Sequence, residues 1–263
     1  MKYNMQDASI VKLIKEKLKE IEEKENVRIL HAVESGSRAW GVASPDSDYD
    51  VRFIYVRPLE HYLKLENKKD FIDWELNEVL DINGWDLSKA LQHFHKSNAT
   101  LFEWANSPVV YYTTKEWEQI KDEVAPYFSC KTSIYHYYGT AKKNYTEYLN
   151  DDMVKYKKYF YVLRPLLACK WIAERACVPP VSFHDLAGAM LENNMQEVVE
   201  ELLKKKVQMN EAEKAQPIVE LNEYIAKRLE YYQEKAASMK DDRKAEWADL
   251  DELFIKVVRE FKR

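Results

Sequence analysis

The chain is short of glycine and cysteine, and neither shortage is neutral. It has five glycines in 263 residues. None of them builds a Walker loop, a Rossmann fingerprint or a Gly-x-Ser-x-Gly elbow, which removes the commonest ATPase, dehydrogenase and hydrolase readings. Its three cysteines, Cys130, Cys169 and Cys177, form no CxxC pair. That excludes a zinc ribbon or disulfide framework and points to reduced thiols in a cytoplasmic protein. No apolar run is long enough to span a bilayer, and Met1-Lys2-Tyr3-Asn4 lacks the apolar core of a signal peptide. A cytoplasmic location away from membranes is therefore expected. A basic excess is missing as well, since the formal net charge is −5. Any polynucleotide would have to be gripped by a local patch. Histidine offers no ligand pair: His93 and His95 face differently on a helix, and His31, His61, His136 and His184 are scattered.

What is present is a globular composition, with 46% hydrophobic and 32% charged residues, long enough for one large domain or two modest ones. Its most informative stretch is Glu34-Ser35-Gly36-Ser37-Arg38-Ala39-Trp40-Gly41, followed by Ser47-Asp48-Tyr49-Asp50-Val51-Arg52-Phe53-Ile54-Tyr55. The second segment reads as a strand, so Asp48 and Asp50 project from one face. Like charges held that close call for a divalent cation. Gly36 and Ser37 can offer N–H groups and a hydroxyl to a phosphate. Pro45 and Asp46 read as an Asx-type turn. An EF-hand loop starting at Asp46 would need glycine and glutamate where Val51 and Arg57 stand, so calcium-loop geometry fails.

Periodicity predicts a first helix capped by Asp7 or Ser9, with Ile10, Leu13, Ile14, Leu18 and Ile21 as its apolar stripe. A buried strand over Val27–Val33 leads into Gly36. A third strand is predicted over Trp74–Asn83, ended by Gly84, with Asp86 capping the helix that follows. A short helix at Thr100–Ala105 and a strand at Val109–Tyr112 complete an α/β (α+β) unit over residues 1–128. From Trp117 onward only helical periodicity remains, which predicts an all-α domain over residues 129–263.

Two-metal transfer chemistry asks for a third carboxylate from a neighbouring strand. Asp81 fits, because it sits in an otherwise apolar strand where an unpaired charge is costly. A strand-end aspartate reaching solvent is the plainer reading. Asp86 is the competitor, although capping accounts for it, and Glu75 and Glu78 fit less well.

With these residues in view, the chain resembles the polymerase-beta superfamily of nucleotidyltransferases, and within it the RNA-ligase-associated (RlaP) group. The resemblance rests on Ser-Gly-Ser-Arg-Ala-Trp-Gly and Ser-Asp-Tyr-Asp-Val-Arg-Phe-Ile-Tyr. Asp81-Ile82-Asn83-Gly84-Trp85-Asp86-Leu87, Glu103-Trp104-Ala105-Asn106-Ser107-Pro108 and Lys157–Pro165 add to it. It implies a small mixed sheet flanked by helices and a helical domain that closes over the nucleotide. It implies Mg²⁺, with Mn²⁺ as a substitute, held by Asp48, Asp50 and Asp81. The substrate would be a nucleoside triphosphate such as ATP, with transfer to an acceptor hydroxyl and release of pyrophosphate. An RNA end is the acceptor the family's context suggests; a protein side chain or a small molecule is the alternative.

Arg38 can meet a phosphate or brace Asp46 or Asp48. Arg52 reads as a counter-ion to Asp50. In the helical half, Lys142 and Lys143 lie near Tyr138 and Tyr145, and Lys158, Tyr161 and Arg164 lie close along a helix. These can hold triphosphate oxygens and stack a base, or can simply be the wet face of an amphipathic helix. Pro165 is expected to start or kink that helix. The rival from another class is a non-catalytic nucleotide sensor or antitoxin-like module on the same fold.

Overall fold

The computed structural model describes residues 6–44, 47–66, 68–77, 79–208 and 213–261. Pro45, Asp46 and Glu78 lie outside them. The chain divides into two compact units, residues 1–128 with 243–263, and residues 129–242.

The first unit opens with α1 (Ala8–Glu25), capped by Asp7, whose side chain accepts from the Ser9 N–H at 2.7 Å. The helix stops at Asn26, which takes the left-handed conformation (φ 51°) that asparagine tolerates. The strands β1 (Arg28–Glu34), β2 (Tyr49–Val56), β3 (Phe71–Leu76), β4 (Leu80–Asp86) and β5 (Val110–Thr113) form one sheet in the order β3-β4-β2-β1-β5. β2 and β4 are parallel and every other pairing is antiparallel. The sheet is therefore small and mixed, as the sequence implied. Ile14, Leu18 and Ile21 of α1 bury into one sheet face against Ile29, Val51 and Phe53. Full burial of such side chains contributes roughly 1.5–3 kcal/mol each.

Two expectations for the third strand need correction. The stretch from Trp74 to Asn83 is a hairpin, because the Asn77 carboxamide oxygen accepts from the N–H groups of Val79 (2.9 Å) and Leu80 (2.8 Å) and reverses the chain. Gly84 does not end the strand. It lies inside β4, where a Cβ would sit 2.1 Å from Phe53 Cε2, so its bare backbone makes room for that ring.

Between β1 and β2 the predicted turn is a single helical turn, α2 (Gly36–Ala39). Further on, α3 (Leu59–Tyr62), α4 (Leu87–His95), α5 (Ala99–Ala105) and α6 (Lys115–Val124) complete this part of the unit.

The second unit holds α7 (Cys130–Tyr148), α8 (Lys157–Arg175), α9 (Phe183–Met190), α10 (Asn193–Gln208) and α11 (Val219–Ser238). α7 and α8 pack along one another, and α11 packs on both. Pro165 does not begin α8. It lies inside the helix, among buried residues that run from Tyr159 to Cys169 and anchor the segments on either side of it. Among the described residues, no helix is long and apolar enough to cross a membrane.

The last helix, α12 (Ala248–Arg259), corrects the predicted 129–263 domain, since residues 243–263 belong with the first unit. Its buried stripe Leu250, Leu253, Val257 and Val258 packs against α4 and α6. Phe254 meets Tyr62 edge-on at 5.1 Å, and Trp247 stacks on His95 at 3.5 Å.

Candidate functional site

The parallel pairing of β2 and β4 brings the carboxylates together. Asp50 and Asp81 are each the second residue of their strand and are direct register partners. Side chains in register on neighbouring strands leave the same face of the sheet. Asp48 lies exposed in the segment that leads into β2. Burial raises the Asp50 carboxyl above its ordinary range, and the charges of Asp48 and Asp81 push it the same way, while Arg52 and Arg38 oppose them.

Arg52 is the counter-ion expected of it. One terminal nitrogen donates to Asp50 Oδ1 (3.2 Å) and Asp81 Oδ2 (2.6 Å), and the other to the carbonyls of Asp81 (2.9 Å) and Val51 (3.1 Å). Each carboxylate thus keeps one oxygen, Asp50 Oδ2 and Asp81 Oδ1, that accepts no hydrogen bond from the described residues.

Gly36 is required where it stands. Its φ of +59° suits glycine, and a Cβ there would fall 2.1 Å from Asp50 Oδ2. Ser37 is the second residue of α2 and half-buried. Ser35 N–H donates to the Asp50 carbonyl at 2.8 Å, which fastens the α2 turn to the strand bearing the carboxylate. Arg38 is buried and braces the approach to β2. Its Nε donates to the Asp48 carbonyl (3.0 Å), a terminal nitrogen donates to the Ser47 carbonyl (2.5 Å), and its guanidinium lies 3.8 Å over the Tyr49 ring.

Behind Asp50 stands Glu34, which the sequence reading did not single out. It is completely buried; its Oε1 accepts from the Asp50 N–H at 2.8 Å and its Oε2 from the Tyr111 hydroxyl. Burial is the main cause pushing its carboxyl up to about 7, against the lowering effect of those two hydrogen bonds. The available signal was an acid closing the predicted buried strand Val27–Val33, immediately before Ser35-Gly36.

Asp86 is occupied elsewhere. Its Oδ1 caps α4 through Ser88 N–H (2.8 Å) and hydroxyl (2.6 Å), and its Oδ2 accepts from Tyr62 (2.8 Å). Its register partner is Tyr55, at the other end of β2 from Asp50.

Of the helical residues, the Lys158 ammonium lies 3.7 Å over Tyr148 and 4.9 Å over Tyr161, and Lys142 lies 5.6 Å over Tyr138. Lysines thus sit over tyrosine rings at two places on α7 and α8. Arg164 makes a different contact. Its side chain is buried in the second unit and its Nε donates to the Val181 carbonyl at 2.9 Å.

Among the described residues, no three His, Cys, Asp or Glu side chains close into a ready metal cage. The donor set nevertheless fits a hard divalent cation. It consists of carboxylate oxygens, two of them uncommitted, with a guanidinium already lying between Asp50 and Asp81 as a cationic stand-in.

A small mixed sheet with facing acids on its central parallel pair, beside a Gly-Ser turn, is the framework of a polymerase-beta-type nucleotidyltransferase. The sequence matches the RNA repair pathway DNA polymerase beta family (RlaP) over residues 10–256, and the chain belongs to that family. It is 40% identical over 250 residues to the uncharacterised protein YcgL of Bacillus subtilis (strain 168), covering 93% of this chain and 95% of that protein. It is 28% identical over 138 residues to the uncharacterised protein MJ0002 of Methanocaldococcus jannaschii, covering 51% of this chain and 56% of the relative. A solved nucleotidyltransferase-like protein from Exiguobacterium sibiricum 255-15 aligns at 13% identity with a TM-score of 0.30, covering 95% of this chain and 81% of that one. Family membership supports nucleotidyl transfer as the general activity.

Proposed function

We propose that the chain transfers a nucleotidyl group from a nucleoside triphosphate such as ATP to an acceptor hydroxyl, with release of pyrophosphate. The observation that carries this is the in-register pairing of Asp50 with Asp81 beside a glycine that only a missing side chain allows. In this reading Asp48, Asp50 and Asp81 hold Mg²⁺, or Mn²⁺ in its place. The ion would neutralise charge developing on the triphosphate. The N–H groups of Gly36 and Ser37 and the Ser37 hydroxyl hold the β- and γ-phosphates. Arg38 and Glu34 fix the main chain at Asp48 and Asp50, so that the acids need no reorganisation during the reaction. Asp81 favours loss of the acceptor's proton. Arg52 tethers Asp50 and Asp81 and limits their mutual repulsion.

Within the helical unit, Lys142, Lys158 and Tyr161 are the residues we propose for nucleotide binding, with Arg164 supporting α8 from within. The acceptor we favour is an RNA end, because the family is described as belonging to an RNA repair pathway. The guanidinium between Asp50 and Asp81 is the one observation that favours a non-catalytic nucleotide-binding module instead. Labelled nucleoside triphosphates, Mg²⁺ and RNA with defined ends separate the two readings. Label should enter RNA and pyrophosphate should appear, and Asp48→Asn or Asp50→Asn should abolish both while leaving the thermal melt intact. Undiminished pyrophosphate release by either variant removes the mechanism.

A further inference from the structure

At the end of β2 away from Asp50, the chain leaves the sheet through Arg57-Pro58 and enters α3. This corner, Asn26 at the close of α1 and the last turn of α12 line a cleft of about 580 Å³ within the first unit. The strand carries it roughly 20 Å from Asp50, so it is no part of the carboxylate site.

Its lining combines two chemistries. Arg57, Lys64 and Arg259 supply positive charge beside the His61 ring, against Glu60 as the acid lining the cleft among the described residues. Arg57 is held in place by Glu25, through its carbonyl at 2.6 Å and its carboxylate at 3.1 Å. Lys64 reaches Glu66 only at 3.9 Å, and Arg259 forms no ion pair among the described residues. Neighbouring cations act on His61 in the same direction as its burial. Burial lowers its ring first, then Arg57, with Lys68 and Lys64 acting in the same direction and Asp86 opposing. Its apolar lining comes from Pro58, Leu59, Val258 and Phe261, with Leu59 exposed.

Such a volume lies within the roughly 300–1,000 Å³ of small-molecule sites. Lys64 and Arg259, which have no close ion pair among the described residues, set among apolar lining residues, match a ligand that carries both a phosphate and a flat ring. We infer that this cleft is a second ligand site, for a phosphorylated nucleoside, separate from the carboxylates at the far end of the sheet. It stands whether or not the catalytic reading holds.

The test is calorimetric titration of the full chain in EDTA with AMP, adenosine and inorganic phosphate as probes. AMP should bind saturably, more tightly than either fragment, and equally well to the Asp50→Asn variant. The exposed double substitution Lys64→Glu/Arg259→Glu should weaken AMP by about tenfold or more, as expected for reversing charge-assisted phosphate contacts. Its thermal melt and its pyrophosphate release should match wild type. Competition by a 5′-phosphorylated oligoribonucleotide would assign the site to an RNA end, and lack of competition to a free nucleotide; either result sustains it. No saturable AMP binding, an affinity unchanged by the double substitution, or phosphate binding as tightly as AMP overturns it.

Discussion

Replacing Gly36 with alanine adds one carbon where the chain has no space for it. The new Cβ would lie 2.1 Å from Asp50 Oδ2 and 3.1 Å from its Cγ, whereas ordinary contact starts near 3.4 Å. Main-chain movement at Asp50 is resisted, because its N–H is held by Glu34 at 2.8 Å and its carbonyl by Ser35 at 2.8 Å. The carboxylate must therefore swing by more than ~1 Å, out of the Arg52 contact, and displacement of a reacting group on that scale costs on the order of 100-fold in rate. The positive φ adds about 1–2 kcal/mol of backbone strain. Gly41→Ala is the matched control, since Gly41 has a φ of +74° but nothing within 4 Å of the added carbon. Gly36→Ala should lose at least as much thermal stability as Gly41→Ala, and only Gly36→Ala should lose pyrophosphate release. Comparable activity in the two variants would refute the packing of Gly36 against Asp50 as the reason for that glycine.

Arg52→Met removes the guanidinium that bridges Asp50 and Asp81. In EDTA the variant should lose about 1–2 kcal/mol, because the facing carboxylates then repel without a counter-ion. Added Mg²⁺ should raise its melting temperature more than that of wild type, and an equal rise in both would discount the acids as a shared cation site. Glu34 predicts a pH dependence. Its folded-state value of about 7 lies above the ordinary 4.5, so its stabilising contribution is complete below about 4.5 and is lost as pH rises through about 7. The full loss is on the order of 3 kcal/mol. Glu34→Gln cannot ionise, so in metal-free denaturant titrations it should match wild type at pH 4.5 and exceed it at pH 8. A stability difference that is the same at both pH values would show that Glu34 does not titrate on unfolding.

The acids of the candidate site were legible because each broke a local rule. Asp48 and Asp50 alternate at strand spacing, although Asp48 lies just ahead of β2, and Asp81 interrupts apolar sequence, so each signal lay within a few residues. The hairpin was not legible for the same kind of reason. Alternation runs on in phase from Trp74 to Asn83, and the chain reverses on an Asn77 side chain rather than on glycine or proline. Period-two patterning gives the face of a strand but not the point where it turns back. Asp86 was correctly read as a cap because capping is also local, with its partner Ser88 two residues on.

Glu34 and α12 show where local signals stop. Glu34 is buried partly by Tyr111, 77 residues later in β5, and nothing near Glu34 announces that partner. The stripe of α12 would suit any apolar surface, so its periodicity gave a helix without saying which unit it covers. The register of β2 on β4 belongs with these, because a one-residue slip would turn Asp81 to the opposite face from Asp50. What holds that register is packing that sequence patterning does not display. Phe53 fills the space left by Gly84, its direct partner across the strands, and this lock lies three residues along from the Asp50–Asp81 pair. The chemistry was therefore readable as residue types at a spacing, while its geometry depends on a glycine first read as a strand terminator.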